Sequence, residues 1–239
     1  MSDSVRLALP ELDEHIRPDL DSAALLTIDV QRDFLDDGPF CFPGTSAVLP
    51  TIAKLLHAFR GTGKPIVHVV RLYEKDGSDA ERCRRTLFTS SGAPAVAGSE
   101  GSQLAAELLP DTAVRLDADL LRSGGAQEVG PREVVVYKPR WGAFYRTSLE
   151  RHLTSMAIST LIFTGCNFPN CPRTSIYEAS ERDFRLVLVS DALSVFDDRA
   201  AHEMLAIGAV VATADELLAL LDGDSRPSPL PRRAGITTL

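Results

Sequence analysis

Apolar residues in this chain fall in short, nearly unbroken runs, separated by stretches with helical periodicity. Ala23–Val30 (AALLTIDV), Pro65–Arg71 (PIVHVVR), Glu133–Lys138 (EVVVYK), Thr160–Thr164 (TLIFT), Arg185–Ser190 (RLVLVS) and Ala209–Ala212 read as strands. Thr45–Arg60 places Val48, Ile52, Leu55, Leu56 and Phe59 on one helical face and stops at Gly61. Arg146–Met156, Arg173–Asp183, Arg199–Ile207 and Asp215–Leu221 read as further helices. Strands that alternate with helices, and that are apolar on both faces, predict a parallel sheet covered on both sides. The expected fold is three-layer α/β/α around a central, mostly parallel six-stranded sheet, in one domain over residues 21–222. Residues 1–20 are expected to form an arm, and 223–239, rich in Pro, Ser and Arg, a flexible tail. Residues 74–131 lack a clean period and are expected to be an excursion from the core.

Composition narrows the function classes. Asp plus Glu outnumber Lys plus Arg by 33 to 25, a net charge of −8 over 239 residues. Such a balance disfavours binding to nucleic acid or to an anionic membrane surface. No apolar run reaches the ~18 residues of a membrane span, and Met1–Glu14 lacks the layout of a signal peptide, so the expected location is cytoplasmic. The four cysteines (41, 83, 166 and 171) are then expected to be free thiols.

In doubly wound sheets, chemistry gathers at the carboxyl ends of the strands. That rule points to Asp29, Arg71, Lys138 and the segment Thr164–Ser175 (TGCNFPNCPRTS). In this segment a strand ends, Gly165 permits a turn, and a helix begins near Cys171 with Pro172 in its first turn. The helix N-terminus is expected to lower the thiol pKa, and its free amides can stabilise an oxyanion. The plain alternatives are a buried structural cysteine, a capping or salt-bridging Asp29, and a solvated strand-end lysine. Taken together, an acid, a cation and a thiol at the ends of strands in one sheet form a set able to perform nucleophilic catalysis. Cys166 and Cys171 do not make a metal site, because no second Cys or His pair completes four ligands. No cofactor fingerprint is present either.

Three ordered motifs carry a family resemblance: Asp29-Val30-Gln31-Arg32-Asp33-Phe34, Lys138-Pro139-Arg140-Trp141-Gly142-Ala143-Phe144, and Thr164-Gly165 with Cys171 six residues after the glycine. A fourth is Gly98-Ser99-Glu100-Gly101 followed by Leu104 and Glu107–Pro110. From about Leu25 to Leu218 the chain resembles the isochorismatase-like cysteine hydrolases, a Rossmann-like family that includes nicotinamidases, N-carbamoylsarcosine amidohydrolase, biuret hydrolase and streptothricin hydrolase. The resemblance implies a triad of Asp29, Lys138 and Cys171 that attacks a small carboxamide, ureide or cyclic amide and passes through a thioester. It implies an oxyanion hole from the amides of Asn167 and Cys171, and a non-proline cis peptide between Cys166 and Asn167. It further implies a homodimer or homotetramer, no cofactor, and no partner beyond a small-molecule amide substrate.

Two departures from the family pattern stand out. Phe168-Pro169-Asn170 replaces a small polar turn, and His68–Glu74 lacks the Asp-x-His metal pattern of the nicotinamidases, so no metal is expected. Phe34, Gln31, Trp141, Asn167, Phe168, Arg71 and Tyr73 are the expected substrate-binding residues. Core packing is the competing reading for the aromatics among them. Arg82, Arg84 and Arg85 read more simply as a solvated helix face than as an anion site. Two other readings of the chain remain: vinyl-ether hydrolysis with Asp29 as general acid, as in isochorismate cleavage, and an inactive scaffold.

Overall fold

A computed structural model describes residues 12–221. The expected tail, 223–239, and the first eleven residues of the expected arm lie outside the described residues. The strands are β1 (Ala23–Ile28), β2 (Ile66–Val70), β3 (Ala126–Gly130), β4 (Glu133–Tyr137), β5 (Thr160–Gly165), β6 (Arg185–Leu193) and β7 (Val210–Ala212). They form one sheet in the order β3-β4-β2-β1-β5-β6-β7. Every pairing is parallel except β3 with β4. The helices are α1 (Thr45–Gly61), α2 (Arg82–Ser91), α3 (Ala118–Arg122), α4 (Leu149–Ser155), α5 (Cys171–Ser180), α6 (Asp198–Ala206) and α7 (Ala214–Leu221).

Central strand β1 is buried along its whole length and feeds both layers. Leu26 and Ile28 join Leu149, Leu153, Phe163, Ile176 and Met204 beneath α4, α5 and α6. Leu25, one residue out of phase, joins Ile52, Leu55, Phe59, Ile162 and Leu217 beneath α1 and α7. This period-two split is what makes an interior parallel strand apolar on both faces.

The sheet has seven strands, one more than the sequence pattern predicts. The addition is β3, AQEVG, inside the 74–131 excursion. It is an antiparallel edge strand, half-buried and irregular between Glu128 and Gly130. An edge strand needs only one neighbour and one apolar face, so no continuous apolar run marks it. The rest of the excursion closes small clusters of its own, one around Leu72, Leu104, Leu116 and Leu121 and one around Tyr73 and Phe88.

A buried polar chain ties α1 to the sheet. Thr27 Oγ1 lies 2.8 Å from His68 Nδ1, and His68 Nε2 lies 2.8 Å from Glu133 Oε1. Arg60 donates to both Glu133 oxygens, from Nε at 2.8 Å and Nη2 at 2.7 Å. Burial alone would raise the Glu133 pKa, but the hydrogen bonds from Arg60 and His68 outweigh it and hold the carboxyl at about 2. The stabilisation from a depressed carboxyl is present above its unfolded pKa, near 4.5, and is lost as pH falls through the folded value. Glu133→Gln is therefore expected to cost about 3 kcal/mol at pH 7 and less at pH 3. Denaturant titrations of both proteins at the two pH values check this. An equal cost at both would contradict it.

Candidate active site

The site forms at the carboxyl edge of the sheet, where the chain leaves β1 toward β2 on one side while β5 lies on the other, a topological switch point. Asp29 follows β1 directly and has φ +54, a left-handed conformation that a non-glycine residue adopts at a cost of roughly 1–3 kcal/mol. Its amide donates to Val69 O at 2.9 Å, which fixes it against β2. Lys138 follows β4 with its amide on Val70 O, and Cys171 opens α5 after the turn that leaves β5. Gly165 makes that turn possible. Its φ is +116, and a Cβ there would run into the Ile28 backbone.

The structure brings the three expected chemical groups together. Lys138 Nζ is 2.9 Å from Asp29 Oδ2 and 3.3 Å from Arg140 O, and its side chain is fully buried. Burial pulls the lysine pKa down, but the Asp29 charge more than compensates, so the ammonium stays charged. Asp29 Oδ1 is buried without a well-formed hydrogen bond. The Cys171 thiol is close enough to Asp29 for their ionisations to interact.

The expectation of a lowered thiol pKa is overturned. Burial, followed by the Asp29 charge, pushes Cys171 up to about 12, and the nearby Lys138 and Arg84 recover only part of this. Its surroundings therefore favour the neutral thiol over the thiolate.

The turn 166–174 has its backbone donors almost fully used. The amides of Cys166, Phe168, Asn170, Arg173 and Thr174 donate to Ile28, Ser194, Asn167, Phe168 and Asn170 carbonyls, respectively. Those of Asn167 and Cys171 find no acceptor among the described residues. These are the two amides expected to form an oxyanion hole. The described residues contain no cis peptide bond, so the Cys166–Asn167 link is trans, contrary to the expectation from the family; trans is the form a non-proline bond ordinarily prefers.

Around the thiol, Asp29, Phe34, Arg71, Tyr73 and Asn167 line a cavity of about 10 Å³, on the order of one water molecule. Substrate entry therefore requires side chains to move. Three residues expected to bind substrate do not line it. Gln31 is a brace: Nε2 spends both hydrogens on Arg71 O and Ser102 O at 2.9 and 2.7 Å, Oε1 accepts from Arg71 N at 2.9 Å, and the side chain is fully buried away from the cavity. Phe168 is buried edge-on against Phe196, with ring centroids 4.7 Å apart. Trp141 packs on the cluster beneath α5, because the Phe144 amide is anchored to Glu178 at 2.8 Å and Gly142 lies against that same carboxylate.

Three lining residues escape the sequence reading: Phe42, Arg84 and Cys166. The sequence reads Arg84 as part of a solvated helix face, whereas the structure turns it, half-buried, into the cavity and leaves only Arg82 and Arg85 exposed. Phe42 comes from an irregular loop against Phe34, where no periodicity applies. Cys166 is fully buried, its sulfur 3.0 Å from Asp29 O, and burial raises its pKa well above the ordinary value.

Comparison with known proteins is consistent with this geometry. The Isochorismatase domain family model matches residues 23–216. A protein of Arabidopsis thaliana named "Probable inactive nicotinamidase" is 26% identical over 174 residues, covering 72% of this chain and 80% of its own length. The N-carbamoylsarcosine amidase of an Arthrobacter species is 28% identical over 173 residues, 71% of this chain and 58% of that enzyme. The solved structure of an isochorismatase family protein from Desulfovibrio vulgaris is 33% identical, with TM-score 0.69, over 86% of this chain and 99% of that one. No described helix is long and apolar enough to cross a membrane.

Proposed function

The chain belongs to the isochorismatase family of hydrolases, and from that premise we propose that it hydrolyses a C–N bond of a small carboxamide, ureide or cyclic amide, with Cys171 as nucleophile and Asp29 as general base. The observation that carries this reading is the buried Asp29–Lys138 pair, 2.9 Å apart, set beside the Cys171 thiol in a cavity with two undonated amides.

With the thiol neutral, its proton passes to Asp29 as the sulfur attacks the carbonyl carbon. The carbonyl π bond becomes an oxyanion, and the amides of Asn167 and Cys171, which have no other acceptor among the described residues, are read as its donors. As the tetrahedral adduct collapses, the C–N bond breaks and the proton on Asp29 goes to the departing nitrogen, leaving a thioester. Water then gives a proton to Asp29 and its oxygen attacks the thioester carbon. The C–S bond breaks, the proton returns to sulfur, and a carboxylic or carbamic acid leaves. Lys138, paired with Asp29 Oδ2 at 2.9 Å, holds the carboxylate in place.

Assaying the wild-type protein for ammonia or amine release from a panel of small carboxamides, ureides and lactams tests the reading, with isochorismate as comparison. Release of amine with the matching acid is the expected result. Pyruvate from isochorismate, with no amide turned over, would instead assign the chemistry to Asp29 acting as an acid.

A further inference from the structure

Two cysteines line the active-site cavity, and the reaction set out above uses only one of them. The other, Cys166, is fully buried and packs with Phe34 and Ala95. Burial, together with the nearby Asp29 charge, raises its pKa well above the ordinary value, so its sulfur keeps the proton. A neutral thiol can donate, and Asp29 O, which can only accept, lies 3.0 Å from Sγ. The Cys166 amide donates in turn to Ile28 O at 2.9 Å. One residue thus holds the carbonyls on both sides of the Asp29 α-carbon.

Asp29 is a residue that needs holding. Its φ of +54 is left-handed, a conformation that persists outside glycine only where the surroundings over-determine it. Its amide is fixed on Val69 O at 2.9 Å, and its carbonyl also accepts from Gln31 N at 2.9 Å. The Gln31 bond spans two residues and travels with the local turn. Among the described residues, Cys166 Sγ is the one donor that reaches this carbonyl from another part of the chain. An S–H···O bond is weak by itself; its leverage here comes from where it lands. It joins the strained residue that carries the base to the turn that carries Asn167 and Cys171.

We infer that Cys166 is a positioning residue for the reaction, whose S–H···O bond to Asp29 sets the carboxylate where it can take the Cys171 proton. This deepens the C–N hydrolase reading and rests on it. Cys166 acts through the Asp29 backbone and the turn it shares with the nucleophile, not by attacking substrate.

The order of substitutions separates this role from packing. Cysteine is also a small apolar residue, and packing alone would make alanine or valine a better replacement than serine, because a buried hydroxyl is costly. A donor role reverses that order. On the best substrate of the panel, Cys166→Ala is expected to lower kcat by about 10- to 100-fold with KM changed by less than about threefold, the signature of a misplaced catalytic group. Cys166→Ser should recover most of the loss and Cys166→Val none of it. A loss in the serine variant as large as in the alanine variant, or an alanine variant with wild-type kcat, would overturn the inference. Cys171→Ala, assayed alongside, keeps the two readings apart. If it abolishes amine release while Cys166→Ala leaves the rate unchanged, the positioning role fails and the hydrolase reading stands. Hydrogen exchange at the Asp29 and Gln31 amides decides without any substrate. Relative to the amides of β6, exchange should be about tenfold faster in Cys166→Ala than in Cys166→Ser. Equal rates in the two variants would overturn it.

Discussion

Lys138→Met is expected to lower kcat for amine release by about 10³-fold and to cost about 3–5 kcal/mol of stability. Both effects have one origin. The ammonium is fully buried, and its partner Asp29 Oδ2 is 2.9 Å away. Methionine fills similar volume but leaves the buried carboxylate without its ion-pair partner, beside a thiol and with Oδ1 already lacking a well-formed hydrogen bond. A second substitution, Asp29→Asn on the Lys138→Met background, removes the stranded charge and should restore much of the stability but none of the activity. Denaturant titration and kcat measurements on the three proteins check this. A variant within tenfold of wild-type kcat, with unchanged stability, would show that the pair is only structural.

Gly165→Ala is expected to be strongly destabilising, at about 4 kcal/mol. Two costs coincide at this position. Its φ of +116 is a conformation that L side chains rarely adopt. The added Cβ would also lie 2.5 Å from Ile28 N and press on the Ile28 carbonyl, both backbone atoms of the central strand that cannot rotate away. Ile28 O accepts from Cys166 N at 2.9 Å, and Asp29 is the next residue, so any backbone shift that relieves the clash moves the acid and the nucleophile turn together. Activity should fall even where the variant remains folded. Gly44→Ala is the internal control: φ is +84 in the ordinary left-handed region and nothing lies within 4 Å of the added carbon, so only the conformational cost of ~1 kcal/mol applies. Equal midpoints for the two variants in denaturant would contradict this account.

The sequence discloses the frame of this protein better than its pocket, for physical reasons visible at particular residues. Strands such as β1 and β5 are buried on both faces, so their apolar runs are continuous and their ends are easy to place. Those ends locate Asp29, Lys138 and the turn before Cys171, because an α/β sheet presents strand termini at one edge. The edge strand β3 needs no such run and is not legible. Pocket membership depends on where a side chain points after the backbone has turned. Gln31 turns into a three-bond brace, Phe168 into the core, and Trp141, partly buried, onto the flank of that core, although all three neighbour candidate site residues in sequence. Arg84 comes from the excursion, about 50 residues or more from Phe34, Asp29, Lys138 and Cys171, and nothing in the sequence separates it from Arg82 and Arg85. The thiol's ionisation is likewise invisible in sequence. The helix N-terminus that should lower it is present, but burial and the Asp29 charge dominate.

The central claim is that Cys171 is the nucleophile. Amine release by Cys171→Ala, measured beside the wild type on the best substrate of the panel, tests it most directly. Removing the sulfur takes away the only route to the thioester while leaving the Asp29–Lys138 pair intact. The predicted result is a loss of at least about 10³-fold in kcat, of the size seen when a covalent nucleophile is removed from other hydrolases. A variant that keeps a tenth or more of the wild-type rate would contradict the account and place the chemistry on Asp29 alone.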